Sequence, residues 1–270
     1  MIKILHRFFY AWIFLTRLPA PPLPKASKED WGRVAPYFTL IGSVIGLVLY
    51  FVSEFLIQMK IPFLMSSLLI LLFWVLITGG LHLDGLMDTF DAIGCTDENK
   101  KMEAMRDSRI GAFGAMGGIL VILFKLVSLC TLLLDKLFFV ILISAPLARL
   151  VTVYSFTFLS QNKNSGISSS LILSGVKKPN DFIVNGVFFI CLMIPFLPSP
   201  IFHLPIPQSP DLHFFFLPFL LICFLLSVAW AYWLNNYFKG HTGDTFGALI
   251  ELSETSVLVL GVILKKFLIG

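Results

Sequence analysis

Apolar residues run along this chain in blocks too long for a soluble core, and short polar segments between the blocks carry most of the charge. About 20 consecutive apolar residues suffice for a helix to cross a bilayer. On that measure the pattern predicts spans at Val34–Ile57, Phe63–Leu83, Gly111–Leu134, Leu137–Leu159, Phe182–Leu197, Phe214–Phe238 and Thr255–Leu268. Residues 1–33 read as a cytoplasmic or interfacial segment. Within it, residues 1–18 form an amphipathic or re-entrant helix that the prolines from Pro19 to Pro24 break. The short alternating strands of a membrane barrel are missing. The expected fold class is all-α, a polytopic helical membrane protein of about six to seven transmembrane helices. Residues 1–270 read as a single domain, because no polar segment is long enough to fold by itself.

Composition agrees. Of 270 residues, 57% are hydrophobic and 13% charged, with a mean hydropathy of +0.88. The net charge of +4 has a topological reading. Arg17, Lys25, Lys28 and Arg33 precede the first span, Lys100, Lys101, Arg106 and Arg109 follow the second, and Lys163, Lys177 and Lys178 follow the fourth. Pro198–His213 holds no Lys or Arg. The positive-inside rule then places the N-terminus and the acid-rich loops in the cytoplasm, in a cytoplasmic (inner) membrane. No basic face interleaved with aromatics is present, so nucleic acid is not an expected partner. Cys95, Cys130, Cys191 and Cys223 lack metal-ligand spacing and read as free thiols.

The chemistry gathers after the second block, in Gly80-Leu81-His82-Leu83-Asp84-Gly85-Leu86-Met87-Asp88-Thr89-Phe90-Asp91. Asp84, Asp88 and Asp91 stand at i, i+4 and i+7, within roughly 40° of one line on a helix. Three carboxylates at a membrane boundary repel one another and call for a cation, for which a hard divalent metal is the usual choice. A second acidic segment places Asp244 and Glu251 at i and i+7, again on one helical face. Two such faces meeting at one depth could hold Mg²⁺. Between them lies Arg106-Asp107-Ser108-Arg109, whose guanidinium forks suit phosphate oxygens, with Asp107 or Ser108 able to cap the next helix. Gly111, Gly114, Gly117 and Gly118 read as small residues that let helices approach closely. Arg149 lies inside a span and is a candidate to bind an anion, and His82 is a candidate general base. These residues describe a membrane-embedded, metal-dependent phosphotransferase facing the cytoplasm; the competing class is a cation- or proton-coupled transporter using the same carboxylates.

The acid motif resembles that of the CDP-alcohol phosphotransferases, from which it departs at Asp88. A closer resemblance covers nearly the whole chain. Phe14-Leu15-Thr16-Arg17-Leu18-Pro19, Gly80 to Asp91, Met105-Arg106-Asp107-Ser108-Arg109-Ile110-Gly111 and Thr242-Gly243-Asp244-Thr245-Phe246-Gly247-Ala248 together look like the cobalamin synthase (adenosylcobinamide-GDP ribazoletransferase) family. The resemblance implies an integral membrane, Mg²⁺-using transferase whose substrates are adenosylcobinamide-GDP and α-ribazole or its 5′-phosphate. It further implies Asp84, Asp88, Asp91 and Asp244, with Glu251, as metal ligands. Arg106, Arg109 and Arg149 would hold the diphosphate, with Asp107, Ser108 and Thr242 also binding substrate, and His82, Asp84 or Asp88 would handle the proton. The sequence leaves a homo-oligomer open.

Overall fold

A computed structural model of the chain describes residues 2–97, 101–105, 107, 109–162, 179–194 and 210–265, with the backbone alone for 210–214. Its elements are α1 (Ile2–Leu15), α2 (Lys28–Trp31), a 3-10 turn (Ala35–Tyr37), α3 (Phe38–Gln58), α4 (Phe63–Thr78), α5 (Leu81–Gly94) and α6 (Lys101–Ala104). Then come α7 (Ala112–Leu134), α8 (Phe138–Phe158), α9 (Pro179–Met193), α10 (Pro210–Tyr237) and α11 (Gly243–Ile263). The described residues hold no strand, and an isolated parallel bridge joins Gln161 to His241. Among the described residues five helices are long and apolar enough to cross a membrane, and the bent pair α4–α5 would count as a sixth if it is one span. The protein is thus an all-α, multi-pass membrane protein. α9, at 15 residues, is shorter than a full span.

α8 is the axis of the bundle, with 94% of its apolar window buried. α3 lies along it at backbone distance. A Cβ at Gly42 would stand 2.8 Å from the Cα of Pro146, and one at Gly46 would overlap the carbonyl of Leu142. Close approach of this kind replaces the hydrophobic drive that lipid does not supply between helices. The opposite pattern marks the perimeter: Phe113, Met116, Leu120, Leu123, Phe124 and Val127 of α7 are all exposed, as lipid-facing positions are.

Several predicted boundaries move, and the span expected at Phe182–Leu197 is the short α9; two of the shifts bear on the site. The second span stops at Thr78 instead of Leu83, because Gly79 (φ 65°) and Gly80 (φ 70°) are both left-handed, and α5 leaves at 89° to α4. Glycine enters that region without a Cβ penalty. The last span starts at Gly243 instead of Thr255, where a Thr242–Thr245 capping box opens α11. Glu251 and Glu254 therefore lie inside an apolar helix.

These turns gather one end of the bundle around α5. His241 N–H donates to the Ser160 carbonyl (3.0 Å), and Arg17 N–H to the Ile77 carbonyl (2.7 Å). Phe156 of α8 packs on Phe246 of α11, ring centroids 4.2 Å apart. Asn185 of α9 accepts from Thr39 N–H (2.8 Å) and donates to the Ala35 carbonyl (3.0 Å). The proline-rich segment 198–210 lies outside the described residues, its last proline, Pro210, excepted as the first residue of α10.

Gly46→Ala is expected to destabilise the detergent-solubilised protein by about 1–3 kcal/mol, the usual cost of overpacking. Gly186→Ala, with nothing within 4 Å of its added carbon, should leave the melting temperature unchanged or higher. Equal shifts for both would refute the close α3–α8 contact.

Candidate active site

The α5 acids stand where α5 crosses the first turn of α11. A Cβ on Gly85 would come within 2.9 Å of the Asp244 carbonyl oxygen, and one on Gly247 within 3.0 Å of the His82 carbonyl oxygen. Helix crossing at glycine brings the two acidic segments together. The charges acting on Asp88 are those of Asp84, Asp244 and Asp91, all of like sign. Asp84 is exposed, while Asp88 and Asp244 are half-buried. Asp244 also lies in the first turn of α11, where the helix dipole favours negative charge. Among the described residues no group of three His, Cys, Asp or Glu side chains is arranged to hold a metal ion. The donor chemistry of Asp84, Asp88 and Asp244, three hard oxygen ligands held near one another against repulsion, nevertheless suits a divalent cation.

Asp91 has a different task. Its Oδ2 accepts the Gly111 N–H (2.8 Å) and its Oδ1 the Gly114 N–H (2.7 Å). Gly111 is the N-cap of α7 and has no side chain of its own to do so. Both oxygens of Asp91 are thus engaged at a helix N-terminus, which departs from the expected ligand role. Asp107 does not cap α7. It holds Arg109 instead, with its Oδ2 2.7 Å from Nη2 and its Oδ1 accepting both Nε and the backbone N–H at 3.0 Å. Those hydrogen bonds hold the Asp107 carboxyl down to about 2. Arg109 remains 87% exposed in its side chain, open to an incoming anion. Arg106 and Ser108 lie outside the described residues.

Deeper in the bundle is an ion network of which the sequence reading saw only parts. Lys125 of α7 donates to Glu251 (2.6 Å) and Glu254 (2.7 Å) of α11. Glu254 also pairs with Arg149 of α8. The Arg149 Nη2 stands 3.5 Å from His82 Nδ1, and Lys125 Nζ lies 4.4 Å from the Trp74 ring centroid. Two cations and two carboxylates balance, and each of these four side chains is at least nine-tenths buried.

Four expectations change accordingly. Glu251 sits with Lys125 rather than with the Asp cluster, because charge pairing is the way a carboxylate survives inside a span. Arg149 is 0% exposed and neutralises Glu254, so it cannot clamp a diphosphate from solution. His82 is shut in beside Arg149 at 4% exposure, which removes it as a base for a solvent-borne substrate. Thr242 is 2% exposed and caps α11 through the Thr245 N–H at 3.2 Å, and it too does not face a substrate. Lys125 and Glu254 were missed, although Lys125 lies mid-way through a predicted span, the same signal that singled out Arg149. Arg17, which the sequence offers as a topology charge and as part of the first family motif, has its side chain against Gly79 at the α4–α5 elbow.

A helical bundle with a charge-balanced interior, and with a face of carboxylates and an open arginine at one end, defines a multi-pass integral membrane protein with a polar site at one end. The pattern of the cobalamin-5-phosphate synthase family matches residues 7–262, and the chain belongs to that family. It is similar to the adenosylcobinamide-GDP ribazoletransferases of Thermosynechococcus vestitus (32% identical, covering 96% of this chain and 97% of that one) and Thermoanaerobacter pseudethanolicus (30%, covering 94% and 96%). The corresponding enzyme of Trichormus variabilis is 30% identical over 98% of this chain and the whole of its own. The family is one of enzymes, and the transporter reading is not favoured. No solved structure matches the chain.

Lys125→Met leaves two buried carboxylates facing Arg149 alone, and should destabilise the protein by about 3–5 kcal/mol. The double variant Lys125→Met/Glu251→Gln restores the balance and should recover much of that loss in a detergent melting experiment. A double variant no more stable than Lys125→Met would refute charge balance as the binding principle.

Proposed function

We propose that the protein joins α-ribazole, or α-ribazole 5′-phosphate, to adenosylcobinamide-GDP at the cytoplasmic face of an inner membrane. Family membership over residues 7–262 carries the reading, and the acidic face at one end of the bundle supports it. A ribose hydroxyl of the ribazole attacks the cobinamide-side phosphorus. The bond from that phosphorus to the oxygen bridging to GMP breaks, GMP leaves, and adenosylcobalamin or its 5′-phosphate forms. The cytoplasmic orientation rests on the basic residues Lys28, Arg33, Lys101 and Arg109, which border the same end of the bundle as the acids.

The residues divide the work by exposure. Asp84, Asp88 and Asp244 would hold Mg²⁺, whose charge offsets that of the diphosphate. Arg109 exchanges Asp107 for a phosphate oxygen of the incoming nucleotide, a fork-to-fork replacement that keeps its geometry. A carboxylate of the α5 face takes the proton of the attacking hydroxyl, in place of the enclosed His82. Fixed carboxylates and a shared helix crossing set the distance between nucleophile and phosphorus.

Purified protein given adenosylcobinamide-GDP, α-ribazole and Mg²⁺ should release GMP, and EDTA should stop it. Release that ignores EDTA would remove the metal, and no release from folded protein would remove the activity. Asp84→Asn and Asp88→Asn should each lower kcat by about 100-fold or more; full activity in both would sink the assignment. Arg109→Ala should raise KM for adenosylcobinamide-GDP by about ten-fold and leave KM for α-ribazole unchanged, and equal changes in the two would count against a phosphate role.

A further inference from the structure

We propose that Asp91 is a positioning residue, which fixes the loop at Arg109 against the α5 acids by capping α7, and is not a ligand to the cation. The inference rests on the transferase reading above for what the loop binds.

The first turn of an α-helix has N–H groups without intrahelical partners, and its own N-cap side chain normally meets one of them. In α7 that position is Gly111. The missing acceptor comes from another helix, 20 residues earlier in the chain, and Asp91 meets two of the N–H groups with its two oxygens. Both bonds are charge-assisted, and the α7 dipole adds to them. The two amides also fix the direction of the carboxylate, so that Asp91 is turned toward the start of α7.

The packing around Asp91 is built for this contact. A Cβ on Gly111 would overlap the Asp91 carboxyl, and one on Gly114 would meet that carboxyl and the Met87 carbonyl. A Cβ on Gly117 would overlap the Phe90 ring, and one on Gly118 would stand 3.0 Å from Met87 Cγ. The α7 glycines thus form a seat for α5, and Asp91 is the polar latch at its end. Arg109 stands two residues before Gly111, and Asp88 less than one turn before Asp91. Fixing Asp91 to Gly111 therefore sets the distance from the open arginine to the acidic face. Substrate phosphate must bridge that distance, so the latch acts on nucleotide binding.

The test uses detergent-purified Asp91→Asn, which keeps one acceptor oxygen, and Gly111→Ala, which keeps the carboxylate and displaces it. Three readouts separate the possibilities: hydrogen exchange of the amides around Gly111 and Gly114, Mn²⁺ affinity by electron paramagnetic resonance, and steady-state KM for adenosylcobinamide-GDP and α-ribazole. Both variants should exchange faster at those amides and raise KM for adenosylcobinamide-GDP by about ten-fold. KM for α-ribazole and Mn²⁺ affinity should stay within about two-fold of wild type, whereas Asp88→Asn should lose Mn²⁺. Loss of Mn²⁺ affinity in Asp91→Asn to the extent seen in Asp88→Asn would overturn the proposal, as would unchanged exchange or faster exchange with unchanged KM. Wild-type protein that releases no GMP would overturn the transferase reading instead, and exchange and Mn²⁺ affinity would still decide latch against ligand.

Discussion

The arrangement of this protein depends on one constraint, that charge inside a bilayer must be matched where it stands. Lys125, Glu251, Glu254 and Arg149 come from three helices and form a neutral set, with His82 of α5 attached at its edge. None of these side chains is tolerable alone at that depth. The set therefore fixes the relative height of α7, α8 and α11, since a helix sliding by one turn would strand a charge. Apolar contacts with lipid or neighbouring helices are nearly interchangeable and cannot specify height in this way.

That height matters because the functional face lies a few turns away on the same helices. α11 carries Glu251 and Glu254 inside and Asp244 at its first turn. α7 carries Lys125 inside and, at its own first turn, the amides held by Asp91. α5 meets both helix starts, by glycine contacts on one side and the Asp91 carboxylate on the other. The buried network and the acidic face are thus two ends of the same rods, one neutral and enclosed, the other negative and open. The family's chemistry, transfer at a phosphate of a nucleotide-activated substrate, needs the second end to be held by something as unyielding as the first.

Much of this was legible in the residues. Spans at Gly111–Leu134 and Leu137–Leu159 match α7 and α8 to within about a residue, because long apolar runs admit one solution in a membrane. The acid motif, the open Arg109 and the close-packed glycines of α7 were also readable, since their spacing is a local property. The boundaries that moved were those set by paired elements. Phe63–Leu83 reads as one apolar run, and only the left-handed pair Gly79–Gly80 shows that it folds back. The last span starts before Thr255 because Glu251 and Glu254 find their partners on α7 and α8, helices far away in the chain.

The sequence by itself determined the class of fold, the long apolar runs of α7 and α8 and the family, since hydropathy and ordered motifs are properties of the chain read in line. Tertiary structure decided which charges are enclosed with a partner and which stay open to water. Asp84, Asp88 and Asp91 are equivalent on a helical wheel, yet Asp91 is committed to two backbone amides 20 and 23 residues away. Arg109 and Arg149 are the same residue type, yet one is open and the other is enclosed with Glu254. The physical reason is common to both cases. A charged group's role is set by its nearest opposite charge or donor and by its access to water, and helix packing brings those from distant parts of the chain.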